Sequence, residues 1–202
     1  NAFGKKNFIG SFAVPYAVVN DFEFLHTQPE LTRRAGLIEA VKVALVKDGE
    51  FFQWMENNVD RLRNLEESAL EEAVQRSAIL HARHIALGGD PFELGSSRPL
   101  DYGHWAAHKL EQLTDFELSH GEAVSVGVAL DTLYAARVGL LDFAAASRVL
   151  KVITDLDLPL WHEALELRDV KGRRLVFNGL EEFREHLGGE LTVLLLSAPG
   201  KG

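Results

Sequence analysis

Three histidines lie close together in this chain. His104 and His108 fall in Gly103-His104-Trp105-Ala106-Ala107-His108, and His120 opens His120-Gly121-Glu122. Residues four apart share a helix face, so His104 and His108 can reach one ion or one substrate. The pair looks like the two-His helix of metalloproteases, but no Glu follows the first His, and that reading loses its general base. Either both rings bind a metal, or one binds it and the other transfers protons; spacing leaves both open. Glu39, in Gly36-Leu37-Ile38-Glu39-Ala40-Val41-Lys42, is a candidate third ligand. Two imidazoles and a carboxylate are a common set for a catalytic zinc, since they leave a coordination position for water or substrate. Ordinary polar residues on helix surfaces would be spelled by the same letters.

His120 begins a helix, and Gly121 permits a close backbone approach there; the competing role for His120 is a helix cap. Glu39 and Lys42, three apart, also share a face. On a surface such a pair is worth under about 1 kcal/mol. Ile38, Val41 and Val43 around it argue that it points into a cleft. Lys5, Lys6 and Asn7 precede Phe8-Ile9-Gly10. Lysine binds phosphate as a point charge, so Lys6, Lys42 and Arg98 can form an anion pocket in an acidic protein. A solvated basic loop is the alternative. His81 and His84 share one long helix, and His84 reads as structural.

These groups need a scaffold. The chain has 202 residues, 47% of them hydrophobic, enough for one large domain or two small ones with a real core. The net charge of −9 argues against binding nucleic acid through its backbone. There is no cysteine, so disulfides and thiolate zinc sites are excluded and His and carboxylates remain as strong ligands. That usage fits a cytoplasmic protein. No apolar run approaches the roughly 18 residues of a membrane helix, and no signal peptide is visible. The chain opens Asn1-Ala2-Phe3-Gly4 without a Met, which suggests a fragment or a separated domain.

The pattern predicts one mainly helical domain with a few short strands near the two ends. Residues 1–30 read as loop and short strand, the strand within Ser11 to Asn20. Leu37, Val41, Ala44 and Leu45 align on a helix from Arg33 to Val46. A long amphipathic helix runs from Glu67 to Leu87, with Ala69, Leu70, Ala73, Ser77, Leu80 and His84 recurring by three and four. Gly88-Gly89-Asp90-Pro91 stops it. After a Gly, Ser and Pro-rich loop come the histidine helix, a helix from Gly121 to Val138 and another from Asp142 to Leu156. Pro159 can open a short helix through Leu167. Arg174 to Asn178 reads as a strand, Glu181 to Leu187 as a short helix, and Leu191 to Leu196 as a β-rich run.

Taken together, Lys6-Asn7-Phe8-Ile9-Gly10, the Glu39-x-x-Lys42 helix, Gly103-His104 with His108, and His120-Gly121-Glu122-Ala123-Val124 resemble the C-terminal part of the 3-dehydroquinate synthase, or sugar phosphate cyclase, family. Their order and separations agree from residue 1 to about 198. The resemblance implies a multihelical C-terminal domain of that fold. Residues 1–30 would complete the cofactor cleft, and 31–202 would form the metal- and substrate-binding domain. The NAD-binding N-terminal domain is not in these residues, so the chain alone is not expected to complete the reaction.

By the same resemblance Glu39, His104 and His120 hold a divalent metal, zinc or cobalt. Lys6, Asn7, Lys42, Arg98 and His108 hold a phosphorylated sugar, with Lys42 and His108 catalytic and Asp101 beside them. Lys6 and the stretch Phe24-Leu25-His26-Thr27 line the NAD cleft. The implied reaction oxidises a hydroxyl by hydride transfer to NAD, eliminates phosphate, reduces the carbonyl again and closes a carbocycle by an aldol step. The implied full-length enzyme is a homodimeric lyase. Three positions depart from the dehydroquinate-forming members. Asp101 stands where they carry Asn, His81 stands near a usual Lys, and the tail from Gly179 to Gly189 lacks their lysines. These departures resemble members acting on sedoheptulose 7-phosphate or a less characterised side branch, whereas the retained His108 favours the dehydroquinate-like group. Two further readings are a helical metal-binding domain without catalysis and an iron-dependent alcohol dehydrogenase; Glu-x-x-Lys and His-Gly-Glu-Ala-Val fit the latter less well.

Overall fold

A computed structural model describes residues 16–87, 101–186 and 191–202. Eight α-helices lie in these residues: α1 (Glu30–Lys47), α2 (Gly49–Asn57), α3 (Val59–Arg63), α4 (Glu67–Leu87), α5 (His104–Leu113), α6 (His120–Arg137), α7 (Phe143–Asp155) and α8 (Asn178–His186). Short 3₁₀ turns cover Phe22–Thr27, Glu163–Glu166 and Leu175–Phe177.

The core is organised around α6. Its buried residues include Ala123, Val124, Val126, Val128 and Ala129, so it is apolar over most of its circumference, as a helix enclosed by others must be. α1 and α5 pack on it directly, α4 covers α1, α7 lies against α6, and α8 lies against α5. α1 buries Leu37, Ile38, Val41, Val43, Ala44 and Leu45. In α4 the expected face is buried at Ala69, Leu70 and Ala73, and Leu80 packs partly against the core. Ser119 caps α6: it accepts from Glu122 N while Glu122 Oε2 accepts from Ser119 N at 3.1 Å, a reciprocal capping box. His120 is therefore the first helical residue rather than the cap.

Gly121 fulfils the expected close approach. A Cβ at that position would lie 2.2 Å from the Ala35 carbonyl oxygen, so only glycine lets α1 and α6 meet there. Gly103 serves the same purpose for α5. Its φ of +77° turns the chain into the helix, and its backbone lies so close to α6 that a Cβ on Gly127 would stand 2.0 Å from Gly103 O. These two contacts bring the start of α5, the start of α6 and the middle of α1 to one place.

The expected strands do not form among the described residues. Of Ser11 to Asn20, residues 16–20 are irregular, and 11–15 lie outside the described residues. Arg174 to Asn178 is instead a 3₁₀ turn running into α8, with a single bridge from Arg174 back to Arg168. Leu191 to Leu196 has no strand partner among the described residues. Its continuation folds onto the end of α1, where Gly200 N and Gly202 N donate to the carbonyls of Leu45 and Val46 at 2.6 and 3.3 Å. Those are carbonyls that a helix end leaves unpaired. β-rich composition here marks half-buried chain; with no neighbouring strand to pair with, there is no sheet to join. The short helix expected from Pro159 contracts to Glu163–Glu166. α2 and α3 were not individually foreseen; Asp48 caps α2 by accepting from Phe51 N at 3.0 Å.

Candidate metal centre

Glu39, His104 and His120 come together from α1, α5 and α6. Each offers one ligand atom, and the three atoms lie within 4.8 Å of one another. Glu39 Oε1 is 3.4 Å from His120 Nε2 and 3.8 Å from His104 Nε2. It is shielded from solvent and has no hydrogen-bond partner. The other carboxylate oxygen, Oε2, pairs with Lys42 Nζ at 2.6 Å. Lys42 is buried, so this is not the solvated surface pair that the spacing also allowed.

The far side of each ring fixes what the near side presents. His104 Nδ1 lies 3.2 Å from the Tyr102 carbonyl, and His120 Nδ1 lies 3.2 Å from Glu111 Oε2. A carbonyl and a carboxylate only accept, so both Nδ1 atoms donate, and each ring in its neutral, ligating form turns its Nε2 lone pair toward Glu39 Oε1. Three electron-pair donors facing one another repel unless a cation lies between them. Ligands about 2.0–2.1 Å from a tetrahedral zinc stand about 3.3 Å apart, close to the separations seen. The donor set therefore fits a divalent metal.

Electrostatics agree. Burial and the Lys42 ammonium push His104 down to about 3, against the pull of Glu39, so its imidazole is neutral as a ligand must be. Burial alone would raise the Glu39 carboxyl, but a His120 ring that keeps its Nε2 proton when no ion takes its place, together with the Lys42 ammonium, holds it well below the usual carboxylate range.

His108 joins the group, as its place one turn after His104 predicted. Its ring meets His104 edge-on with centroids 5.3 Å apart and stacks near His120 at 6.0 Å. Asp101 is half-buried in the turn before Gly103. Lys6, Asn7 and Arg98, expected to converge with Lys42, lie outside the described residues. A cleft of about 360 Å³ opens beside Glu39 between α1 and α4, with Leu25, Arg33, Gly36 and His81 in its walls. Of the stretch expected to line the cofactor cleft, Leu25 reaches this one. Phe24 is exposed, His26 turns to Glu67 at 3.4 Å, and Thr27 Oγ1 donates to Phe24 O at 2.8 Å. His84 is half-buried on α4.

Two carboxylates that brace the cluster escaped the sequence reading. Glu111 sits three residues after His108, on the same face of α5, so its spacing was a usable signal. Asp131 had none. It lies eleven residues beyond His120 on α6 and accepts from Gly103 N and from Trp105 Nε1, each at 2.9 Å. Tyr102 adds a third tie through its hydroxyl to Thr132 Oγ1 at 2.7 Å. These bonds clamp the turn that carries His104 onto the helix that carries His120.

Burial pushes the Asp131 carboxyl up to about 6, against the lowering effect of its two donors. A folded value above the unfolded one means that the folded state binds the proton more tightly. The associated stability is full below the ordinary carboxylate range and is lost as pH rises through about 6. Asp131→Asn places an amide N–H against a donor and should destabilise by about 1–3 kcal/mol. Urea melts should show the largest gap from wild type near pH 5 and a smaller one at pH 7.5. A gap independent of pH would mean that Asp131 titrates normally.

A profile of the 3-dehydroquinate synthase C-terminal domain matches residues 36–174. The chain is 35% identical over 196 residues to the 3-dehydroquinate synthase of Halorhodospira halophila, covering 96% of this chain and 53% of that protein. It is 36% identical over 155 residues to that of Pelotomaculum thermopropionicum, covering 76% and 41%. The chain thus spans about half the length of the curated relatives it matches. Among solved structures it is similar to 2-epi-5-epi-valiolone synthase from Streptomyces hygroscopicus subsp. jinggangensis 5008 with NAD+ and Zn2+ bound. That likeness has a TM-score of 0.83 and 29% identity and covers 98% of this chain and 53% of that one. A 2-deoxy-scyllo-inosose synthase complexed with carbaglucose-6-phosphate, NAD+ and Co2+ shares the fold, with a TM-score of 0.74, 23% identity and coverage of 100% and 54%.

Proposed function

Since the chain belongs to the 3-dehydroquinate synthase C-terminal domain family, we propose that it is the metal- and substrate-binding half of a sugar phosphate cyclase that works with an NAD-binding domain. The convergence of Glu39, His104 and His120 beside Lys42 and His108 is the observation that carries this reading. The expected cofactors are NAD and a divalent metal, zinc or cobalt, and the substrate is a seven-carbon sugar phosphate. The reading includes a cytoplasmic homodimeric lyase, carried by the family resemblance alone.

In this reading Glu39, His104 and His120 hold the metal. Bound there, the metal would supply Lewis-acid polarisation of a substrate oxygen and NAD would supply reversible hydride transfer. The rest falls to the chain. Lys42, held by Glu39, presents a fixed positive charge to an anionic substrate in a site of low dielectric. Lys6, Asn7 and Arg98 take the phosphate and fix the substrate's orientation. His108 accepts or returns a proton as phosphate leaves, a task suited to an imidazole. Leu25 supplies an apolar wall on the side of the cleft assigned to the cofactor.

Asp101 favours a second reading of the substrate, sedoheptulose 7-phosphate, because a carboxylate repels a carboxylated ligand that Asn would accept. The likeness to a valiolone synthase points the same way. The test offers the protein, with its NAD-binding domain, NAD and metal, each seven-carbon sugar phosphate in turn, and follows phosphate release and cyclic product. Asp101→Asn should shift preference toward the carboxylated heptulosonate phosphate by about tenfold or more, the scale of one charge or hydrogen-bond contact. Unchanged preference removes Asp101 from substrate selection, and no turnover of any such sugar phosphate removes the cyclase reading.

A further inference from the structure

We propose that Glu111 is a positioning residue for the metal: its buried carboxylate accepts the Nδ1 proton of His120 and thereby fixes the ring tautomer and rotation that aim Nε2 at Glu39. The proposal rests on the metal reading above and adds to it a group outside the three ligands.

Of the two imidazole ligands, His120 has the more freedom to turn. Its side chain is 38% exposed, against 11% for His104, whose ring is packed in the core and tied to the Tyr102 carbonyl. At the start of α6 its backbone is held by Ser119 and Glu122, but that box does not hold the ring. Glu111 reaches it from α5, with Oε2 at 3.2 Å from Nδ1. Glu111 is only 5% exposed. A carboxylate so enclosed is costly unless it is hydrogen-bonded, and the imidazole N–H is a fitting partner. The bond also acts in the other direction. A proton held on Nδ1 keeps Nε2 unprotonated, and a carboxylate behind the ring makes Nε2 a better electron-pair donor.

The same atoms admit a rival role, since Glu111, His108 and His120 also lie within 4.8 Å of one another and could themselves ligate an ion. The two roles differ in a proton. A positioning Glu111 bonds Nδ1–H, while a ligating Glu111 would share a cation with a bare ring nitrogen.

Two substitutions of similar size separate them. Glu111→Gln keeps an acceptor oxygen for Nδ1–H, and Glu111→Met fills the space without one. In the metal-free chain, ¹⁵N-histidine spectra should show His120 protonated on Nδ1 in the wild type and in Glu111→Gln. In Glu111→Met the proton should move largely to Nε2. Zinc affinity, measured by competition with a chromophoric chelator, should fall about 10–100-fold in Glu111→Met and only a few-fold in Glu111→Gln.

An unchanged tautomer and unchanged zinc affinity in Glu111→Met would overturn the proposal. Equal, near-complete zinc loss in both variants would overturn it in favour of direct ligation. If Glu111→Met does not fold, loss of the Nδ1 proton in folded Glu111→Gln would overturn it alone. Glu39→Ala is the separate control for the metal reading. Full zinc retention there counts against the three-ligand site, while the metal-free spectra still decide what Glu111 does to the ring.

Discussion

Alanine at His120 should leave the protein without stoichiometric metal. Elemental analysis of the wild type should give about one divalent ion per chain, and His120→Ala should give a small fraction of one. Affinity should fall by more than the roughly 100-fold that loss of a supporting group produces. The fold should survive, because Ser119 and Glu122 cap α6 without the ring, though the buried Glu111 carboxylate loses its Nδ1–H partner and stability should fall. Unchanged far-UV circular dichroism would then tie the loss to the ligand itself. Glu39→Ala and His104→Ala should behave alike in metal content, since each supplies one of three converging lone pairs. Glu39→Ala has a second consequence, because it leaves the buried Lys42 ammonium without its partner and should lower stability as well. Full metal content in all three variants would refute the assignment.

His108→Ala should show the opposite split: metal retained, turnover lost. Its ring meets the same imidazole cluster, but in the proposed assignment three other ligands already fill the protein's share of an open site. If, as proposed, His108 moves a proton during phosphate elimination, its removal should slow turnover about 10²–10⁴-fold in the protein with its NAD-binding domain. KM should change much less than kcat if the role is confined to the transition state. Loss of metal on changing His108 would make it a ligand. An unchanged kcat would remove it from proton transfer.

The parts of the site that were legible in the sequence are those written in local spacing. The four-residue interval of His104 and His108 put both rings on one face of α5, and the rings do meet. The three-residue interval of Glu39 and Lys42 gave the ion pair. The apolar neighbours of that pair were a sound indication of burial for Lys42. Gly121 was read as a close-approach position and is one. The helices with strong 3.6-residue periodicity were found with small errors at their ends, where caps rather than periodicity set the boundary. The Ser119-His120-Gly121-Glu122 capping box was also written in the chain, though His120 rather than Ser119 was weighed as the cap.

The tertiary structure decided the remainder. Strand and loop differ by the presence of a neighbouring strand, which no single segment encodes; 174–178 and 191–196 have the composition but no partner among the described residues. Glu111 and Asp131 were two acidic residues among thirty Asp and Glu until packing set one behind His120 and the other behind the turn before His104. Helical periodicity says which side of a helix is apolar, not which helix will cover it or at what height. That height is what sets Glu39, His104 and His120 within reach of one ion, and it is fixed by two backbone contacts, Gly121 on Ala35 and Gly103 on Gly127. The sequence thus determined the chemical groups and the faces that bear them. Only the packing of α1, α5 and α6 determined that their lone pairs meet, because that depends on long-range contacts whose geometry is a property of the whole core.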